Sequence, residues 1–170
     1  YSYDCGGTYK WYLTQYIETA REVGAIPVLV TPVSRLYYTS EGTIKPHHDS
    51  TDTTTGTLVT ENNAYVEAVK QLAKEQNVLL IDGFEITKNM YEEAYKADEK
   101  AANGKSVNGM QVMSAGDSTH SNKLGGFITA ELFAQQIQNM NISLSKAVKA
   151  PSRVAGVNPD GQQVFVVDKN

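Results

Sequence analysis

Two short, continuous apolar runs constrain this chain more than any other feature. The first is Ala25-Ile26-Pro27-Val28-Leu29-Val30-Thr31-Pro32, and the second is Val78-Leu79-Leu80-Ile81, closed by Asp82. A strand with one wetted face alternates apolar and polar residues. A run that is apolar throughout suits a strand buried on both faces, the condition found in parallel sheets. Parallel neighbours need a crossover of a dozen or more residues between them, usually a helix. The two runs are therefore expected to pair side by side and parallel, joined by a helix in a right-handed crossover.

The sequence supplies four helical patterns, one of them between the two runs. In residues 8–23, Tyr9, Tyr12, Leu13, Tyr16, Ile17, Ala20 and Val23 recur every three or four places, and Gly24 stands where a helix C-cap belongs. Thr60 reads as the N-cap of a helix over 61–76 that turns Tyr65, Val66, Val69, Leu72 and Ala73 inward. Residues 84–102 form a third helical pattern, with Ile86, Met90, Ala94 and Ala97 at core spacing. A last long helix starts at Ser121 or Asn122 and reaches Met140 through Leu124, Phe127, Ile128, Ala134 and Ile137. Residues 41–57 and 103–116 are polar, lack periodicity and read as loops. This rhythm argues for an α/β fold with a parallel sheet. Beyond Ala150 the composition changes. Pro151 breaks the chain, and Asn158-Pro159-Asp160-Gly161 separates two valine-rich runs in a hairpin pattern. The chain thus divides into a main domain, 1–150, and a segment 151–170 that is a hairpin-like tail or the start of a following module.

Composition excludes several classes. A formal charge of −4 leaves no electrostatic footprint for nucleic acid, and no apolar stretch approaches the ~18 residues of a membrane span. Cys5 is the only cysteine, so neither an internal disulfide nor a thiolate metal cluster is available. The chain opens on Tyr1 without the basic–apolar–small pattern of a signal peptide, which points to a processed precursor or a cut gene.

Chemistry concentrates in Gly116-Asp117-Ser118-Thr119-His120-Ser121-Asn122-Lys123-Leu124-Gly125-Gly126, just ahead of the last helix. A histidine acting as general base needs a partner on its second ring nitrogen, to fix the tautomer and stabilise the imidazolium. A carboxylate three residues earlier, across a tight turn, can reach it. The plainer reading is that Asp117 caps the turn while His120 rests at the surface.

On these residues the chain resembles the SGNH (GDSL-type) esterases, and within them the rhamnogalacturonan acetylesterase branch. The resemblance rests on Asp117-Ser118-Thr119-His120 with its following glycine pair, on Gly7-Thr8-Tyr9-Lys10, on the run Gly24 through Arg35 containing Thr31-Pro32-Val33-Ser34-Arg35, and on Leu72-Ala73-Lys74-Glu75 leading to Leu80-Ile81-Asp82. It implies a three-layer α/β/α sandwich with a parallel sheet, flavodoxin-like in layout. It implies hydrolysis of acetyl esters on a plant polysaccharide or oligosaccharide, secretion, and no cofactor. It makes His120 the base and Asp117 its orienting partner, with the two polar loops as candidate walls of a glycan site.

One departure accompanies the match. The family's serine sits in a Gly-Asp-Ser turn after the first strand, and its other oxyanion donors, a glycine and an asparagine, also precede the helix that 8–23 resembles. Nucleophile and N-terminal strands would then belong to a segment of the same domain upstream of Tyr1. Gly116-Asp117-Ser118 spells the nucleophile triplet, but Met110-Gln111-Val112-Met113 is a poor strand to precede it and too little chain follows. Among other candidates, Arg35 just past a strand end suits either a bidentate contact to a uronate carboxylate or a structural ion pair. His47-His48-Asp49, with Asp52, suggests a metal, but adjacent histidines are expected to point apart and no third strong ligand has the right spacing. Trp11, Tyr12, Tyr16, Tyr37 and Tyr38 suit sugar stacking, although the first three lie at core-like helical spacing. Two rivals remain at this level: a non-catalytic glycan-binding remnant of the same fold, and an unrelated flavodoxin-like protein, whose phosphate loop is not seen.

Overall fold

The structure, a computed structural model, describes residues 9–48, 50–51, 58–59, 64–149, 153–157 and 163–168. The chain forms two compact units, Tyr1–Pro32 with Pro46–Phe84, and Val33–Lys45 with Glu85–Asn170. Mixed helices and a parallel strand pair give the α/β class expected of the sequence.

In the first unit, α1 (Lys10–Glu22) leads to β1 (Val28–Val30), and α2 (Ala64–Glu75) leads to β4 (Leu79–Ile81). Both helices stop by the same device. After α1, Gly24 at φ +75° donates to Arg21 O and Ala25 donates to Ala20 O. After α2, Asn77 at φ +49° donates to Lys74 O and Val78 to Ala73 O. This pair of reversed bonds is the Schellman termination, which needs a left-handed residue that glycine or asparagine supplies. Each then delivers the chain into its strand. The two strands pair in parallel, Val28 opposite Leu79, Leu29 opposite Leu80 and Val30 opposite Ile81, as the apolar runs predict. Thr31 extends the ladder through its N–H to Ile81 O. Its hydroxyl donates to Asp82 at 3.0 Å and accepts from the N–H of Phe84 at 2.9 Å.

The core of this unit is Ile17, Leu29, Val69, Leu72, Ala73 and Val78. The α1 face is narrower than its sequence pattern. Ile17 is buried with Tyr9, Leu13 and Ala20 half-buried beside it, whereas Tyr12, Tyr16 and Val23 are exposed, and so is Trp11. At 100° per residue these two sets form adjacent stripes, and only one of them packs inward. Trp11, Tyr12 and Tyr16 are therefore surface residues in this structure, not the core residues their spacing suggests. A short antiparallel ladder, β2 (Ser50–Thr51) with β3 (Leu58–Val59), stands in and beyond the expected loop of 41–57. Thr60 lies outside the described residues.

The second unit is built on α3 (Gly83–Lys96) from Glu85 onward, the short α4 (Val107–Gln111) and α5 (Lys123–Asn139), followed by a 3-10 turn, Ser143–Lys146. Its core joins Leu36, Tyr38, Ile44, Met90, Tyr91, Ala94, Val112, Met113, Ile128 and Leu132. Three departures from expectation stand out. α3 ends at Lys96, before Ala97, which is exposed. α4 forms inside the expected loop 103–116, capped by Ser106. On α5 the buried face is Gly125, Ile128, Leu132 and Gln135, leaving Phe127 in solvent. Gly125 sets that face, because a β-carbon there would run into the carbonyl oxygen of Val112. Beyond it, β5 (Arg153–Val157) and β6 (Gln163–Asp168) form the expected antiparallel hairpin, whose turn lies outside the described residues. Among the described residues no helix is long and apolar enough to cross a membrane.

Candidate active site

The loop between α4 and α5 is closed at its base before it carries any chemistry. Met113 and Ser121 bridge, Asn122 N–H donates to Val112 O, and Ser114 N–H donates to His120 O. The Asn122 side chain works in both directions. Its amide donates to Gln111 O at 2.6 Å and Met113 O at 3.0 Å, while its oxygen caps α5 by accepting from Gly125 N–H. One residue thus fastens the loop's entry to the start of the helix, the N-cap position anticipated from sequence.

Within this frame, Gly116 takes φ +75° and Asp117 turns back over the next three residues. One carboxylate oxygen accepts from the N–H of Thr119 at 2.5 Å and of His120 at 3.0 Å; the other lies 2.6 Å from His120 Nδ1. Capping and orientation of the imidazole, set against each other in the sequence, are performed by the same carboxylate. Asp117 is held down at a pKa of about 2, first by the Thr119 N–H, then by the His120 ring and its backbone N–H. It is ionised throughout the neutral range. With Nδ1 donating to this carboxylate, Nε2 becomes the acceptor nitrogen, and the His120 side chain is 77% exposed.

A second segment braces the turn from beside it. Residues 34–39 alternate between buried and half-buried, placing Leu36 and Tyr38 in the core and Arg35 and Tyr37 on the opposite face. Leu36 N–H donates to Ser118 O at 2.8 Å. The Tyr37 hydroxyl is held below its usual pKa by hydrogen bonds with the side chains of Thr119, Arg35 and Ser118, in that order. The Arg35 guanidinium stands 6.0 Å from the Tyr37 ring centre, at the edge of cation–π range. Arg35 and the Asp117–His120 pair, picked separately from the sequence, thus belong to one neighbourhood. Tyr37 was foreseen only as a stacking surface. Its contacts with Thr119 and Ser118 come from residues some eighty positions away, and nothing in the sequence around Tyr37 signals them.

No protein-family model matches the sequence. Two curated proteins of Bacillus subtilis (strain 168) do. "Probable rhamnogalacturonan acetylesterase YesY" is 35% identical over 143 residues, 83% of this chain and 55% of its own length. "Rhamnogalacturonan acetylesterase RhgT" is 32% identical over 146 residues, 81% of this chain and 54% of its own. The chain is related to the rhamnogalacturonan acetylesterases. It spans about half the length of the curated relatives it matches.

Against this relationship the other sequence candidates sort as follows. Ser118, in the triplet that imitates an acetylesterase nucleophile turn, follows the helix α4 and not a strand, and its side chain is engaged with Tyr37. The two histidines of 47–48 do not diverge as expected. His48 adopts φ +66°, and its ring lies 4.5 Å from that of His47, both against Phe84. Asp49 and Asp52 lie outside the described residues. Among the described residues no three histidine, cysteine or acidic side chains gather as a metal site.

Proposed function

We propose that this chain supplies the base half of a Ser-His-Asp site that hydrolyses acetyl esters on a secreted-enzyme substrate, a pectic polysaccharide of the rhamnogalacturonan kind. The observation that carries the reading is the 2.6 Å contact between Asp117 and His120 Nδ1, in a turn fastened on both sides. In that arrangement His120 Nε2 takes the proton of a serine hydroxyl as it attacks the ester carbonyl, and returns it to the departing sugar oxygen. Asp117 holds the tautomer and stabilises the imidazolium. The serine and the groups that receive the oxyanion belong, in this reading, to the part of the protein outside these 170 residues, a segment of the same domain upstream. The matched region is little more than half of each relative's length, which leaves room for such a segment in a protein of that size. Arg35, beside the turn, is the candidate anchor for a uronate carboxylate.

The test is His120→Ala in the protein that carries this chain, with acetate release from acetylated rhamnogalacturonan as the readout. Loss of the base in a serine hydrolase costs on the order of a million-fold in turnover. A variant within tenfold of the parent rate removes His120 from the mechanism, and a parent that releases no acetate favours the non-catalytic, glycan-binding remnant.

A further inference from the structure

The second unit contains a hollow that the Asp117–His120 turn does not use. Its volume is about 460 Å³, within the range of small-molecule sites, and its walls include Leu36, Tyr38, Val107 and Met110. Leu36 and Tyr38 face it from the side of their extended segment turned away from Arg35 and Tyr37. Two lysines, Lys100 and Lys105, stand at it. Within the described residues, Lys10, Lys70, Lys88 and Lys96 are ion-paired, whereas Lys74, Lys123, Lys146 and Lys149, like the two at the hollow, are not. Among the described residues, no carboxylate lies within ion-pair distance of Lys100 or Lys105.

The rim that bears these lysines is pre-built. Asn103 and Gly104 both take positive φ, +51° and +72°, in a tight turn closed by the Ala102–Lys105 bridge. A β-carbon on Gly104 would stand 2.8 Å from Thr39 O, so the turn sits flush on that segment. Asp98 binds the next stretch, accepting from Lys100 N–H, Ser106 Oγ, Val107 N–H and Asn108 N–H. Its carboxylate is committed to the backbone and leaves the two ammonium groups for another anion. An apolar floor with two unmatched cations at its edge is complementary to a ligand that carries an apolar face and a carboxylate together.

We infer that this hollow is a second carbohydrate subsite, taking a 6-deoxyhexose against Leu36, Tyr38, Val107 and Met110 and the carboxylate of an adjoining uronate at Lys100 and Lys105. The inference rests on the pectic-substrate reading above, since the backbone named in rhamnogalacturonan joins those two sugar types. It adds a place where the acidic backbone is gripped away from the reacting ester.

The test measures binding without turnover. The intact protein, labelled with nitrogen-15, is titrated with a de-acetylated rhamnogalacturonan tetrasaccharide, with a neutral galactan tetrasaccharide and with hexanoate. The acidic oligosaccharide is expected to shift the amides of Gly104 and of Ser106 through Gly109. The neutral oligosaccharide should leave them unmoved and hexanoate should bind at least tenfold more weakly. Lys100→Ala with Lys105→Ala, both at exposed positions, should weaken acidic binding at least tenfold and flatten its salt dependence. Absent shifts, shifts indifferent to the double variant, or hexanoate binding as tightly as the sugar would each overturn the subsite. Because the ligand carries no ester, loss of activity in His120→Ala with no binding here removes only the subsite, and binding here with unaltered activity in His120→Ala removes only the base assignment.

Discussion

Replacing Asp117 by asparagine separates the two jobs its carboxylate performs. The side chain keeps its shape, and its oxygen can still accept from the N–H groups of Thr119 and His120, so the turn should survive. The other oxygen, 2.6 Å from His120 Nδ1, becomes an NH₂. Two donors cannot share that distance. The imidazole must either rotate away or carry its proton on Nε2, and in both cases the nitrogen facing the nucleophile no longer accepts a proton. Where an aspartate of this kind is changed to asparagine in a serine protease, turnover falls by about 10⁴ with the geometry intact. The same order is expected here, with a lower midpoint of urea unfolding at neutral pH than the parent, because the charge that is favoured on folding is gone. The assay pairs acetate release by the intact protein with nitrogen-15 spectra that report which ring nitrogen of His120 bears the proton. Retention of activity within tenfold, or an Nδ1-protonated imidazole unchanged from the parent, would refute the argument.

Two further outcomes follow from the same loop. Asp117 has a folded pKa near 2 against about 3.9 unfolded, so its contribution to stability is fully present above about pH 4 and is lost as pH falls through 2; carbon-13 titration of its carboxyl should show a midpoint near 2, and one near 4 would contradict the hydrogen-bonded turn. The glycine pair should behave asymmetrically: Gly125→Ala, which drives a β-carbon into Val112 O, should destabilise by about 1–3 kcal/mol, whereas Gly126→Ala, which meets nothing within 4 Å, should be neutral or stabilising by up to about 1 kcal/mol in urea unfolding.

Features set by short-range chemistry were legible in the sequence. The Asp117–His120 contact spans three residues and the Asn122 cap another three, so spacing permits both, although it was the resemblance that favoured the first over a plain turn cap. The parallel strands were legible because their runs are apolar on both faces. What escaped depends on partners distant in sequence or on local caps without periodicity. Tyr37 reaches Thr119 across some eighty positions, and nothing in either neighbourhood announces the other. The five residues of α4 carry no amphipathic signal, and Ser106 with Asp98 starts them. Which of two stripes on α1 faces inward is decided by what packs there, so Tyr12 and Tyr16 could be placed only from the folded chain. A single positive φ at His48 brought together two rings that backbone alternation would have parted.

The location of the nucleophile decides whether His120 is the base of an ester-hydrolysing site. The most direct measurement is to treat the protein that carries this chain with a fluorophosphonate and map the modified peptide by mass spectrometry, beside a His120→Ala control. The predicted result is one labelled serine outside residues 1–170, with labelling slowed by several orders of magnitude when His120 is absent. A label on Ser118, or labelling at the parent rate without His120, would contradict the assignment of this chain as the base half of the site.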